Sequence, residues 1–469
     1  MDTPQTLLAR IQTNALTIQA DAETIALMLP SAPVVPYPKA ITDRIVRPKP
    51  ARPSLGPAGF IFPDPTFGQR ILRVTDDKSM GGSSFRTPST GRCWAADSRT
   101  FVLTTTGGTN RSFKLNPDSM QASMLIDAPL ETEPDFGDAG VLAYGRVSRN
   151  VGGANPAPTV AAWEAVAGTV KDVVQLQTLL PSSVNLLNPR TYARGIAVRN
   201  NVLIALFGGQ SQDDDHYVLC AGLSADGLSL DQNKIRVLDT LNDARIPSTK
   251  LHFAGIDLTG RYVWLGPSSA SMAANPKVIP AYLWDTQAGT ITPVTTENGG
   301  HGAAGFACGI NSPDDNDGAE TLFRDYLTVN SVRELITPYP KPTNFQISNH
   351  MSWWNAKPGA LLPVFVGNYR YYGNNLIAWR EWDDEIVAIE TRVGPTVVYR
   401  FCHHRSNIAS DVNPNGNYGY WYLPKPQVSP DGKWCLFTSN WEKTLGADAG
   451  AAAWEGNSFR QDAFLVELT

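Results

Sequence analysis

Six histidines are spread through 469 residues, and four of them fall at nearly regular intervals. His252, His301 and His350 each stand 49 residues from the next, and His403 follows 53 later. An imidazole titrates close to neutral pH, so several brought to one point make a general base or a divalent-metal site. His403 belongs to "FCHHRSN" (401–407), where His404 and Arg405 follow it directly. Further along, "SWWN" (352–355) and "NYGYWYLP" (417–424) concentrate flat aromatic faces of the kind that stack on sugar rings. His252, Trp353, Trp354 and Trp421 are therefore the expected ligand-binding residues. The plainer alternative for the tryptophans is strand alternation, which sends Trp353 and Trp354 to opposite sides.

Residues so far apart converge only if a repeating architecture brings equivalent positions together. After residue 59 the chain consists of short apolar runs separated by Gly, Asp, Asn and Pro, the pattern of an all-β fold. A weak repeat emerges when the turns are aligned: "CWAADSRTFVLTT" (93–105), "FAGIDLTGRYVWLG" (253–266), "MSWWNAKPGALLPVFVG" (351–367) and "PQVSPDGKWCLFTSNW" (426–441). In each, Asp or Asn opens a tight turn and an apolar strand follows. Second strand pairs such as "AYLWDTQAGTITPV" give about four strands per unit. Units at about 84–128, 133–180, 191–240, 250–297, 301–338, 346–402 and 420–469 fit the period of a seven-bladed β-propeller. The strand-like run "GQRILRVTD" (68–76) precedes the first unit and is expected to complete the last blade, closing the ring. His252 and His350 each precede a turn residue, Asp257 and Asn355, by five positions, so they are equivalent in this alignment.

The first 58 residues differ. Leu7, Leu8, Ile11, Ala15, Ile18, Ile25, Leu27 and Met28 fall at mostly helical spacing, which predicts a short amphipathic helix or helix pair. "PSAPVVPYPKAITDRIVRPKPARPSLGP" then carries a proline every few residues and sustains neither helix nor central strand. The expected organisation is an N-terminal helix and extended arm over 1–58 and a propeller over 59–469. An arm of this composition orders only when something holds it, and another protein subunit is the expected holder.

At "PQVSPDGKWCLFTSNW" and the later "RQDAFLVEL" the sequence resembles the TolB-like and oligogalacturonate-lyase-like propeller repeats, whose blades read S-P-D-G-(K/R) before an apolar strand. The resemblance implies a seven-bladed propeller and supplies one enzymatic expectation, cleavage of a uronate-containing polysaccharide by β-elimination. That reaction needs a base for the acidic C–H, a cation to neutralise the adjoining carboxylate and an acid for the leaving oxygen. His301, His350, His403, Arg405 and Tyr422 have the side chains for it. The family's metal-site histidines lie just before the S-P-D-G turn; here the stretch is "YLPKPQ", with Pro424 and Pro426 in those places and only Gln427 left as a weak ligand. No metal or other cofactor is therefore expected. The alternative is that axis-facing His, Arg and Tyr fill a polar channel with hydrogen bonds.

Composition narrows the class. A net charge of −5 with 18% charged residues argues against a nucleic-acid binder, which needs a basic face. The five cysteines, Cys93, Cys220, Cys308, Cys402 and Cys435, lack CxxC spacing and read as buried thiols. "DDDHY" (213–217) and "SPDDNDGAE" (312–320) read as solvated loops. The N-terminus lacks the pattern of a secretory leader and no apolar run is long enough to span a membrane. The expected location is the cytoplasm, with release by lysis or within a particle. Two functions follow: a non-enzymatic assembly or recognition module, such as a phage or virion component docked through residues 1–58 and able to bind surface glycans, or the polysaccharide lyase. Adjacent strand residues face opposite ways, so at most one of His403 and His404 is expected near the axis, with the other and Arg405 anchoring the loop.

Overall fold

The computed structural model describes residues 36–469 apart from 79–83, 90, 107, 151–155, 185–192, 210–213, 276, 279–280, 295–301, 312–320, 328–332, 339–344, 348–350, 359, 361, 371–378, 393–395, 409–421 and 449–458. The expected N-terminal helix, together with His301, His350 and Trp421, lies outside the described residues.

Two short strands come first, β1 (Ile61–Pro63) and β2 (Arg70–Arg73). Blade one is β3 (Phe85–Arg86), β4 (Thr100–Thr105), β5 (Asn110–Asn116) and β6 (Gln121–Ala128). Blade two is β7 (Asp135–Phe136), β8 (Leu142–Asn150), β9 (Pro156–Glu164) and β10 (Val170–Gln175), and blade three is β11 (Ala193–Arg199), β12 (Val202–Phe207), β13 (Tyr217–Leu223) and β14 (Leu230–Asp239). Blade four is β15 (Leu251–Ile256), β16 (Tyr262–Pro267), β17 (Ala281–Asp285) and β18 (Thr290–Val294), with helix α1 (Ser269–Ala274) between its middle strands. Blade five is β19 (Ala303–Ala304), β20 (Cys308–Asn311), β21 (Thr321–Tyr326) and β22 (Arg333–Pro338), and blade six is β23 (Phe345–Ile347), β24 (Val364–Arg370), β25 (Glu385–Ile389) and β26 (Val398–His403). The chain ends in β27 (Gln427–Val428), β28 (Trp434–Ser439) and β29 (Asp462–Glu467).

Among the described residues seven antiparallel sheets result, six of four strands and one of five in the order β1-β2-β29-β28-β27. The protein is a β-propeller. Blade seven joins the two ends of the chain, since β2 pairs with β29 through Ile71↔Val466, Leu72↔Leu465 and Arg73↔Phe464. The run at 68–76 thus closes the ring as its sequence suggested. Arg73 reinforces the join by reaching Asp462 at 2.6 Å.

The turns show why these residues repeat. In "SPDG" Ser429 Oγ donates to Asp431 Oδ1 at 2.6 Å, and Gly432 takes φ +71°, a conformation that a side chain disfavours. In blade four the buried Asp257 carboxylate accepts from the Thr259, Arg261 and Tyr262 amides and also from Ala307 of blade five. One aspartate therefore shapes its own hairpin and ties it to the next blade. Strand alternation supplies the rest of the core. Val364 and Val366 join the cluster toward blade five, whereas Phe365 between them joins Phe401, Phe437 and Phe464 toward blade seven.

The described part of the arm packs on the propeller itself. From Pro36 onward it lies in the groove between blades six and seven, with the Tyr37 ring buried against Phe365, Tyr399 and Phe401 at centroid distances of 5.8, 5.4 and 5.2 Å.

Candidate functional site

Two clusters of polar side chains are built by the described residues, one at the ring axis and one where the arm crosses blade six.

At the axis, Arg92 of blade one, Asp135 of blade two, Arg199 of blade three, Trp354 of blade six and Gln427 of blade seven meet. Side chains from five blades of a ring can meet only near its centre. The Trp354 ring has the Arg92 and Arg199 guanidinium carbons 5.2 and 4.6 Å from its centroid, a cation–π arrangement. Its Nε1 donates to Gln427 Oε1 at 2.7 Å. Arg199 is fixed by the buried Asp135, to which Nη2 donates at 2.8 Å, and Arg92 pairs with Asp138 at 2.8 Å. Burial, with the Arg199 charge second, pushes the Arg92 guanidinium downward from its ordinary value.

Trp353 points the other way, into the core between blades five and six, where its Nε1 donates to Leu362 O at 2.7 Å. The alternation expected of "SWWN" therefore holds, but Trp353 has no exposed face for a sugar and Trp354 stacks on arginines. His252 lies on β15, half-buried.

The second cluster contains "FCHHRSN". His403 ends β26, with its backbone amide donating to Asp64 Oδ2 at 3.1 Å, its Nε2 3.1 Å from the arm carbonyl of Arg47 and its ring 5.1 Å from Phe67. His404 is equally buried, and Ser406 N donates to its Nδ1 at 2.9 Å. Its Nε2 therefore carries the hydrogen and donates to Asn368 O at 2.7 Å. Burial pushes both imidazoles down to about 4, so both are neutral at pH 7. Arg405, at φ +57°, donates to Glu442 at 2.9 Å and to Pro50 O of the arm at 3.2 Å. Tyr422 is buried with Tyr369, Ile408 and Leu423, and its hydroxyl accepts from Phe459 N at 3.1 Å.

Neither histidine of the pair reaches the axis, within the expectation of at most one there: His403 ends the outer strand of blade six and His404 follows it. The competing demand is the arm: His403 and Arg405 supply its hydrogen bonds, while His404 fastens β26 to β24. Arg405 does anchor the loop, as expected, and its partners include a carbonyl 355 positions earlier in the chain. Sequence reasoning missed Arg400, the central residue of this cluster. It is fully buried, forks onto Glu385 at 2.8 and 2.7 Å, and reaches the arm carbonyls of Asp43 and Ile45 at 3.1 and 2.8 Å. Burial, partly offset by Arg400, pushes the Glu385 carboxyl up to about 7. The available signal was an arginine inside an otherwise apolar strand, "VVYRFC".

Among the described residues, no group of three or more His, Cys, Asp or Glu side chains is placed to hold a metal. Both ends of the Gln427 amide are engaged, Oε1 by Trp354 and Nε2 by Pro88 O at 3.3 Å. The donor set before the "SPDG" turn therefore does not fit a divalent metal. The five cysteines are free and buried, and no described helix is long and apolar enough to cross a membrane.

No protein-family model matches the chain, and no curated protein does. Among solved structures, the oligogalacturonate lyase of Vibrio parahaemolyticus superposes with a TM-score of 0.52 at 10% identity, covering 87% of this chain and 96% of that one. An oligogalacturonate lyase in complex with manganese gives 0.51 at 11% identity, covering 88% and 99%. The WD40 repeats of RRP9 give 0.47 at 12% identity, covering 87% and 100%. At such identities the first two likenesses define the fold, a β-propeller, and leave the activity to the side chains.

Proposed function

We propose that the chain is a non-catalytic β-propeller working as an assembly and recognition module, of the kind a phage or other virion component would need, with surface glycans as a class of ligand. The observation that carries this reading is the use made of His403 and Arg405. Both have side chains suited to β-elimination, and both hold the arm, buried away from any substrate. His404, neutral and hydrogen-bonded through both ring nitrogens, has no free lone pair for a proton. Tyr422 is buried as well. These are the properties of a lock rather than of an acid and base pair, which must meet the substrate's proton directly or through one water.

The alternative, a lyase acting on a uronate polymer, retains only His301 and His350 from its expected set. Incubation with pectate, ulvan and related polymers tests the choice, because β-elimination leaves an unsaturated uronate that absorbs in the ultraviolet. The module reading expects no such product from the wild-type chain. Product formation that a His301→Ala/His350→Ala double variant abolishes would establish the lyase instead.

A further inference from the structure

The groove between blades six and seven has the construction of a peptide-binding site, and we infer that it receives the arm of a second copy of this chain in place of its own. The inference rests on the module reading and names that module's partner.

Three recognition elements succeed one another along the groove. The first is the aromatic pocket around Tyr37, whose hydroxyl end approaches the "SPDG" turn so closely that a Cβ on Gly432 would lie 3.3 Å from it. The second is main-chain recognition at the edge of blade six, where Arg400 N donates to Ile41 O at 2.9 Å and the pair forms a β-bridge. There the Arg400 side chain also reads Asp43, through its carbonyl at 3.1 Å and its carboxylate at 3.3 Å. The third reads proline-rich backbone: Arg405 donates to Pro50 O at 3.2 Å and Trp441 Nε1 to Pro53 O at 3.4 Å. Lys49 adds an ion pair to the buried Asp384 at 2.8 Å.

Strand addition and carbonyl capture along a preformed extended segment are general modes of binding peptides in trans. The ligand class is thus an extended, proline-rich segment with a tyrosine six positions before an aspartate. "PYPKAITDRIVRPKPARP" (36–53) satisfies every element, so the arm of another copy fits the groove by construction. The same set of contacts serves in either setting, which makes exchange of the arm a route to assembly of low free-energy cost.

Two preparations of the full chain test this, one labelled through Ser54→Cys on the exposed end of the arm and the other through Lys433→Cys beside the groove. The five native cysteines are buried, so labelling is selective. Arm exchange predicts energy transfer between copies that rises with concentration. An excess of unlabelled peptide 36–53 should suppress it at least tenfold, while the peptide carrying Tyr37→Ala and Asp43→Ala should leave it unchanged. Absence of transfer at every concentration, or equal suppression by both peptides, would overturn the inference. Assembly without transfer would sink arm exchange alone, whereas an unsaturated uronate product would sink the module reading beneath it.

Discussion

Tyr37→Ala is the sharpest perturbation of the arm. Tyr37 is 3% exposed and meets three aromatic rings edge-on. Truncating a buried aromatic side chain to alanine costs about 3–5 kcal/mol, and each aromatic pair contributes about 0.5–1.5 kcal/mol within that. The loss falls on the arm first, because the arm can leave the groove while the blades stay paired. The Arg400 amide reports this directly, since its acceptor is Ile41 O on the arm. At about 1.4 kcal/mol per factor of ten, its hydrogen exchange should accelerate roughly 100-fold or more. Trypsin should also cut faster after Arg44, while Tyr37→Phe, which keeps the ring, stays near wild type. Unchanged protection of Arg400 in Tyr37→Ala would refute the assignment of the pocket as the anchor of the arm.

Further expectations follow from the same contacts. Acid should destabilise the fold: His403 and His404 sit at about 4 in the folded state against an ordinary 6.5, so their contribution is present above 6.5 and lost as pH falls toward 4. Glu385, raised to about 7, and the buried Asp257 and Asp462, whose carboxyls burial also pushes up, oppose this by favouring the folded state at low pH. The histidine share is therefore read against a His404→Gln variant, whose urea midpoint should fall less than that of the wild type between pH 6.5 and 4.5; equal falls would contradict the account. Deleting residues 1–58 should lower the urea midpoint of the ring, because Arg400, Arg405 and the Tyr37 pocket lose their partners; an unchanged midpoint would count against the arm's part in holding the fold. Arg199→Ala should cost about 3–5 kcal/mol in urea unfolding by leaving the buried Asp135 carboxylate unpaired, and a cost below 1 kcal/mol would remove the axial pair from the argument.

Much of the ring was legible because its signals are local. Each unit carries its own turn residue and its own alternating strand, so Asp257, Asn355 and the "SPDG" at 429–432 marked the blades without reference to anything distant. The closing strand at 68–76 was visible for the same reason. The site was not legible in this way. Equal spacing of histidines says only that they occupy comparable places in the repeat, and it is silent on what covers them. His403 meets a carbonyl 356 positions away and Arg405 one 355 positions away, and no local pattern encodes such pairings. Proline content showed correctly that the arm is extended, yet it did not show that the arm lies in a groove of its own propeller. A solitary tyrosine between two prolines, "PYP", and a buried arginine on the facing strand were the two traces that this docking left in the sequence.

The central claim is that side chains with catalytic chemistry hold the arm, and Arg405→Met tests it most directly. Methionine keeps much of the buried volume and removes the charged donor to Pro50 O, a bond type with a net contribution of about 1.5–3 kcal/mol. The measurement is the rate of tryptic cleavage after Arg44, which Ile45 follows, in the variant and the wild type. Cleavage roughly tenfold faster or more in the variant is the predicted result. An unchanged cleavage rate, together with loss of a uronate-cleaving activity present in the wild type, would contradict the account.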